Sequence, residues 1–420
     1  MTRKAKPQSI RSVVAAASGN ALEWFDFTVY GFLAPQIGKL FFPQGDAFTA
    51  TLSAFAVLAV GYAARPVGSV IFGHVGDRFG RKPALMASVL IMGLASLAIG
   101  LLPTYAAIGV AAPALLVLLR IVQGIAVAGE YAASGVLIVE QAKPGRKAFI
   151  GGWIAFAMMI GCVLGAAVPA AVNSVLSADQ VADWGWRIPF LLGSVVGVTI
   201  SVFRRHITES RPVSDEERDA ASPVITVLRF YPLRILEMSV LLIPTAIIYF
   251  VIFVYAISYL TDEMHRSAAE ALDITTINLV VIAALAPVFG WLADRVGLRP
   301  IFLVSAIATL VFAAPFWWLM HQPDLGLVFL GQLGLSLLNA AGWALSITAV
   351  TLMAPAAFRC SSVAVSYNVC MAVFGGTTPA VATYLVNRTG DDFAPIYYIV
   401  LATFVSLPVI LRLPKWTRSR

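Results

Sequence analysis

The chain has 420 residues, of which 59% are hydrophobic and 12% charged, with a formal net charge of +7 and a mean hydropathy of +0.85. A soluble domain carries about twice that share of charge, so the composition excludes a water-soluble globular protein. At about 20–25 residues per crossing, it leaves room for about twelve membrane helices and short loops.

In chain order the apolar runs predict helices over 18–42, 47–73, 84–102, 108–140, 148–175 and 187–205, then over 233–260, 271–293, 301–320, 325–353, 361–388 and 395–413. These runs lack period-two alternation and are too long for barrel strands, so the fold class is an all-α membrane protein. The one long break, Arg205 to Pro232, is rich in mixed charge and proline and reads as a solvated linker able to hold a short amphipathic helix. It divides the chain into a six-helix half over 1–205, a linker over 206–232 and a second six-helix half over 233–420. Met1 to Pro7 is polar and basic, and the first apolar run already contains Glu23 and Asp26, so a cleaved leader is not expected. Cys162, Cys360 and Cys370 show no metal-ligand spacing, and neither a metal nor a cofactor is implied.

A turn repeats. Gly73-His-Val-Gly-Asp77-Arg78-Phe-Gly80-Arg81-Lys82 returns 217 residues later as Gly290-Trp-Leu-Ala-Asp294-Arg295-Val-Gly297-Leu-Arg299. Each copy lies between two apolar runs, so the chain is a duplication, as in secondary transporters. Cations collect on alternate loops, among them Arg3, Lys4, Lys6, Arg78, Arg81, Lys143, Arg146 and the tail Lys415 to Arg420. The positive-inside bias then places both termini and the linker in the cytoplasm. Because the cations are spread loop by loop, a nucleic-acid surface is not expected.

Ionisable residues inside spans cost at least about 2.5–3.5 kcal/mol each and are functional candidates by default. The first half holds Glu23 and Asp26 on the first helix, Arg65 on the second, and Arg120, Gln123 and Glu130 on the fourth, with Glu140 at that helix's end; the second half has no comparable set. Counted from the helix ends, Asp26, Arg65 and Glu130 fall at one depth, so Glu23, Asp26 and Glu130 are the expected proton-coupling carboxylates. A permanent ion pair is the competing reading, above all for Glu23 with Arg65. Arg120 either receives an anionic solute or bonds backbone carbonyls. Tyr249, Asn339, Tyr367 and Asn368 add neutral hydrogen-bond partners, and Gly375-Gly376-Thr-Thr-Pro379 predicts a kink in the eleventh helix. Trp184-Gly-Trp186-Arg187 reads as an outer aromatic belt.

The repeated turn resembles the signature loop of the major facilitator superfamily, and Arg120-x-x-Gln123-Gly124 is similar to its fourth-helix motif. With Ser18-Gly-Asn-Ala-Leu-Glu-Trp-Phe-Asp-Phe-Thr-Val-Tyr-Gly31, Arg65-Pro66-Val-Gly68, Gly129-Glu130-Tyr131 and Trp184 to Phe190, nearly the whole chain resembles the metabolite:proton symporter family. Within it the loop at Asp183–Arg187 and Phe374–Pro379 look most like citrate and tricarballylate carriers. That resemblance implies proton-coupled uptake of a small organic anion across the cell inner membrane by a functional monomer; Arg65, Arg120 and Gln123 are the residues expected to bind the solute between the halves. It also implies gating by Gly73, Asp77, Arg78, Gly80 and Arg81 with Glu140, and more weakly by Asp294 and Arg295, because Leu298 stands where the pattern carries a cation. Carriers of shikimate, 2-oxoglutarate or proline and betaine are the alternatives, and a drug exporter is a more distant one. The family's long central loop and long C-terminal helix are not found in this sequence, which argues against osmosensing. Nothing in the spans has the nucleophile and base of an enzyme.

Overall fold

The computed structural model describes residues 10–42, 47–205 and 223–413; the linker over 206–222 and the tail cations lie outside them. The described chain is helical without strands. In hydrocarbon every backbone polar group must find its partner within the segment, and uninterrupted apolar runs leave the helix as the only solution. We name the long helices α1 (Ile10–Phe32), α2 (Ala47–Arg78), α3 (Arg81–Leu101), α4 (Ala111–Gln141), α5 (Lys147–Val175), α6 (Ile188–Arg204), α7 (Pro232–Phe250), α8 (Ala268–Val296), α9 (Leu298–Met320), α10 (Leu325–Met353), α11 (Ala356–Thr389) and α12 (Ala394–Arg412). Among the described residues the eleven from α2 onward are long and apolar enough to cross a membrane.

Departures from the expected boundaries have local causes. The first run breaks at Leu33 and restarts as Ala34–Phe41, because Pro35 has no amide to donate and suits only the first turn of a helix. The eleventh helix does change course at the glycine pair: a π-turn over Met371–Gly375 precedes a new start at Thr378 with Pro379 in its first turn. The seventh continues past Phe250 through π-turns at Val251–Tyr255 and Tyr259–Glu263, which no residue pattern announced. Trp186 corrects the aromatic-belt reading, since it is fully buried edge-on to Phe41 at 5.6 Å, whereas Trp184 is half exposed.

The helices group into two compact units. Unit one is formed by the described residues of Met1–Leu137, Ala157–Ile225 and Ala357–Val365; unit two by those of Ile138–Phe156, Thr226–Ala356 and Ser366–Arg420. Each therefore takes the opening turns of one helix, α11 or α5, from the opposite half of the sequence. Within unit one α1 packs on α6 and α3 on α6; within unit two α9 and α8 pack on α10, and α12 on α9 and α7.

Both copies of the repeated turn end on a glycine with an unusual backbone. Gly80 has φ 110° and ψ 158°, Gly297 φ 95° and ψ 161°, a region that only glycine enters without strain. This is why the motif keeps that glycine while its neighbours vary. Gly80→Val is expected to cost about 1–3 kcal/mol and to lower the thermal unfolding midpoint in detergent. Gly31→Ala serves as control, because a methyl group there meets nothing within 4 Å. Equal midpoints for the two variants would remove the conformational explanation.

Candidate functional site

Three polar clusters occupy the interior of unit one. In the first, Glu23 of α1 faces Arg65 of α2 at 3.3 Å, both essentially inaccessible. Beyond this ion pair, both Glu23 oxygens and the Nε and Nη1 of Arg65 are without hydrogen-bond partners. The guanidinium is instead held between two aromatic faces, 4.5 Å from the Tyr62 centroid and 4.7 Å from that of Phe27. Those rings make up part of the cost of burying the cation through their quadrupoles.

The second cluster lies three residues on, where Asp26 turns toward α3 and α4. Its Oδ2 accepts from Ser96 Oγ and, at 2.8 Å, from Gln123 Nε2. Gln123 in turn accepts from Arg120 Nη1 at 2.9 Å, so its amide stands between the cation and the carboxylate and fixes its own orientation. Arg120 lies over the Tyr30 ring at 3.7 Å and over that of Phe27 at 5.9 Å. Its Nε and Nη2, like Asp26 Oδ1, lack partners. A buried arginine with open donors beside a carboxylate with an open lone pair is incompletely satisfied, the condition in which a solute or proton has something to gain.

The third cluster differs in this respect. Glu130 of α4 is paired through both oxygens with Arg204, and its Oε2 also accepts from Ser88 Oγ at 2.8 Å. Arg204 donates further to the carbonyls of Ala15, Ala16 and Leu85 at 2.8, 2.9 and 3.0 Å. The expected single layer of Asp26, Arg65 and Glu130 is therefore divided: Arg65 belongs to Glu23, and Glu130 belongs to an arginine the sequence reading passed over. Arg204 is the last residue of α6, a position where a cation ordinarily meets solvent. Only its complete burial reveals its part.

In unit two the selected residues are neutral and dispersed. Tyr249 stacks on Trp343 at 4.6 Å and 17°. Asn339 is 2% exposed, has neither amide atom bonded, and lines a cavity of about 30 Å³ with Thr245 and Thr309. Tyr367 and Asn368 are buried in α11 just ahead of its π-turn. Sequence reading missed Gln332, which donates at 2.7 Å to the carbonyl of Ile252 inside the first π-turn of the α7 extension and binds Asn278.

The two repeated turns do the same thing at both sites. Asp77 receives the amides of Cys360 at 3.0 Å and Ser361 at 2.8 Å, the opening turn of α11. Asp294 receives those of Ala148 at 3.0 Å and Phe149 at 2.8 Å, the opening turn of α5. Each carboxylate satisfies two orphan donors at the positive end of a helix. Gly73 and Gly290 permit the approach, because a side chain at either would collide with the backbone of Ser361 or Phe149. Arg81 stands 4.0 Å from Asp77, while Leu298 occupies the equivalent position beside Asp294; the second copy keeps the cap without a cation at that position. Arg78 is partly buried, Arg295 lies over the Trp291 ring at 3.7 Å, and Glu140 belongs to unit two.

Comparison with known proteins agrees with the helical architecture. Residues 12–224 match the model of "Sugar (and other) transporter" and residues 238–418 that of the Major Facilitator Superfamily. The proline/betaine transporter of Escherichia coli strain K12 is 32% identical over 410 residues, covering 94% of this chain and 82% of its own. A putative proline/betaine transporter of Staphylococcus aureus is 33% identical, covering 95% and 87%. Neither of these relatives is named a citrate or tricarballylate carrier, the class suggested by the motifs at Asp183–Arg187 and Phe374–Pro379. The proton:xylose symporter XylE has the same fold, with a TM-score of 0.78 over 97% of both chains at 15% identity. The chain is thus a multi-pass membrane transporter and not an enzyme, and it belongs to the major facilitator superfamily.

Proposed function

We propose that the protein carries a small zwitterionic solute of the proline and betaine class together with protons into the cell. The observation that carries this reading is charge balance. Among the described residues the buried charges of unit one are Glu23, Asp26, Asp77 and Glu130 against Arg65, Arg81, Arg120 and Arg204, and those of unit two are Glu237 and Asp294. No surplus of buried cations is present to neutralise a tricarboxylate, whose desolvation would be prohibitive without one. A zwitterion leaves the balance intact: its carboxylate takes the open donors of Arg120 or Arg65, and its cationic end finds a carboxylate or an aromatic face. The proline/betaine relatives support the same class.

Coupling follows from the same geometry. While Asp26 is ionised, Gln123 links it to Arg120 and the cation is compensated. When Asp26 takes a proton, Arg120 is left uncompensated and attracts the solute's carboxylate, so proton and solute load together. Glu130, saturated by Arg204 and Ser88, holds helices in place. On this reading the protein works in the inner membrane with both termini in the cytoplasm, an orientation that the loop cations support.

The test is uptake by the purified chain in proteoliposomes with an imposed inward proton gradient. Labelled proline or glycine betaine should accumulate, and a protonophore should abolish the gradient-driven part. Accumulation of labelled citrate that neither proline nor betaine inhibits would overturn the substrate class.

A further inference from the structure

The inner end of unit two carries a second polar assembly that transport does not use. Glu237 on α7 is 9% exposed and bonds two arginines, Arg234 at 3.0 Å through Oε2 and Arg412 of α12 at 3.3 Å through Oε1. Each arginine engages it through Nη1, leaving the rest of each guanidinium fork unused by the carboxylate. The arginine side chains themselves are 59% and 72% exposed. Together these three residues line a cavity of about 260 Å³ whose remaining wall, including Met353, Val409 and Leu413, is apolar.

Two cations fixed around one carboxylate leave a net positive charge, and an exposed pair that only stabilised the helix ends would be worth little. The surroundings give the cavity a place in the bilayer. Immediately before it in the chain Phe230, Leu233 and Leu236 are 67%, 63% and 58% exposed, a lipid-facing surface, while Arg229 beside them is exposed as well. The cavity therefore joins a cationic mouth to an apolar wall at the level where acyl chains meet headgroups.

We propose that this cavity binds the phosphate of an anionic phospholipid, with the forks of Arg234 and Arg412 on the phosphate oxygens and the glycerol end against Met353, Val409 and Leu413. Glu237 is a positioning residue: it holds both guanidinium groups at the mouth. Charge complementarity singles out an anionic lipid, and the apolar wall favours a lipid over a free ion. Basic pockets of this kind on the cytoplasmic side gain affinity for each arginine near the surface.

The experiment compares the full chain in nanodiscs of phosphatidylcholine alone with nanodiscs that also contain phosphatidylglycerol, reading the thermal midpoint, and counts retained lipid by native mass spectrometry. Phosphatidylglycerol should raise the midpoint and be retained over phosphatidylcholine. The Arg234→Gln/Arg412→Gln variant should lose the rise and retain roughly 25-fold less, about five-fold per arginine. Both substituted residues are exposed, so folding should survive, and an unchanged midpoint in phosphatidylcholine verifies it. Glu237→Gln should keep a preference for phosphatidylglycerol, because it removes a negative charge from the mouth. Equal retention of phosphatidylglycerol by wild type and the double variant would overturn the site. So would a midpoint rise of the same size from inorganic phosphate in neutral detergent, which would make it a site for free anions.

Discussion

Asp26→Asn is expected to exchange solute across the membrane and fail to concentrate it. Asparagine can still accept from Ser96 and Gln123, as Asp26 does, so the local fold should persist. It cannot take up or release a proton, and it leaves Arg120 in the state otherwise created by protonation. A one-unit inward pH gradient is worth about 1.4 kcal/mol per proton, enough for about ten-fold accumulation. The wild type should approach that ratio and the variant should remain near one, with counterflow at near wild-type rates. Arg120→Gln provides the contrast, because it removes the proposed carboxylate partner and should lose counterflow as well. A variant at Asp26 that accumulates solute like wild type would move proton carriage elsewhere, with Glu23 the next carboxylate to examine.

The helical architecture was legible because membrane burial imposes one-dimensional rules. Apolar runs of spanning length must be helices, because no other segment satisfies its own backbone in hydrocarbon. The repeated Asp-Arg-x-Gly turn was legible for the same reason, since its glycine answers to backbone dihedrals and its aspartate to orphan amides one helix away. Of the pairings across helices only Glu23 with Arg65 was weighed in advance, as a permanent ion pair; the others were not legible. Depth counting put Asp26, Arg65 and Glu130 at one level, but depth says nothing of which way a side chain points around the helix. Glu23 rather than Asp26 therefore faces Arg65, and Glu130 faces α6. The π-turns of α7 were invisible because no proline or glycine marks them. The solute class was not legible in the motifs at Asp183–Arg187 and Phe374–Pro379, whereas the tally of buried charge on which the proposal rests needs the structure.

The largest stability effect should come from the pair the sequence concealed. Arg204→Met leaves the Glu130 carboxylate buried with only Ser88 as partner, and Glu130→Gln leaves the Arg204 cation with neutral acceptors and no counter-charge. Breaking one side of a buried pair costs about 3–5 kcal/mol, while replacing both members costs much less. The double variant should therefore melt closer to wild type than Arg204→Met does, a non-additivity that a double-mutant cycle in detergent measures directly. Transport then separates architecture from chemistry. If the cluster only ties α1, α3, α4 and α6 together, a double variant that folds should still accumulate solute under a proton gradient. Additive losses would show that the pair contributes no coupling energy. A folded double variant that exchanges solute without accumulating it would instead assign the coupled proton to Glu130, and Asp26 would lose that role.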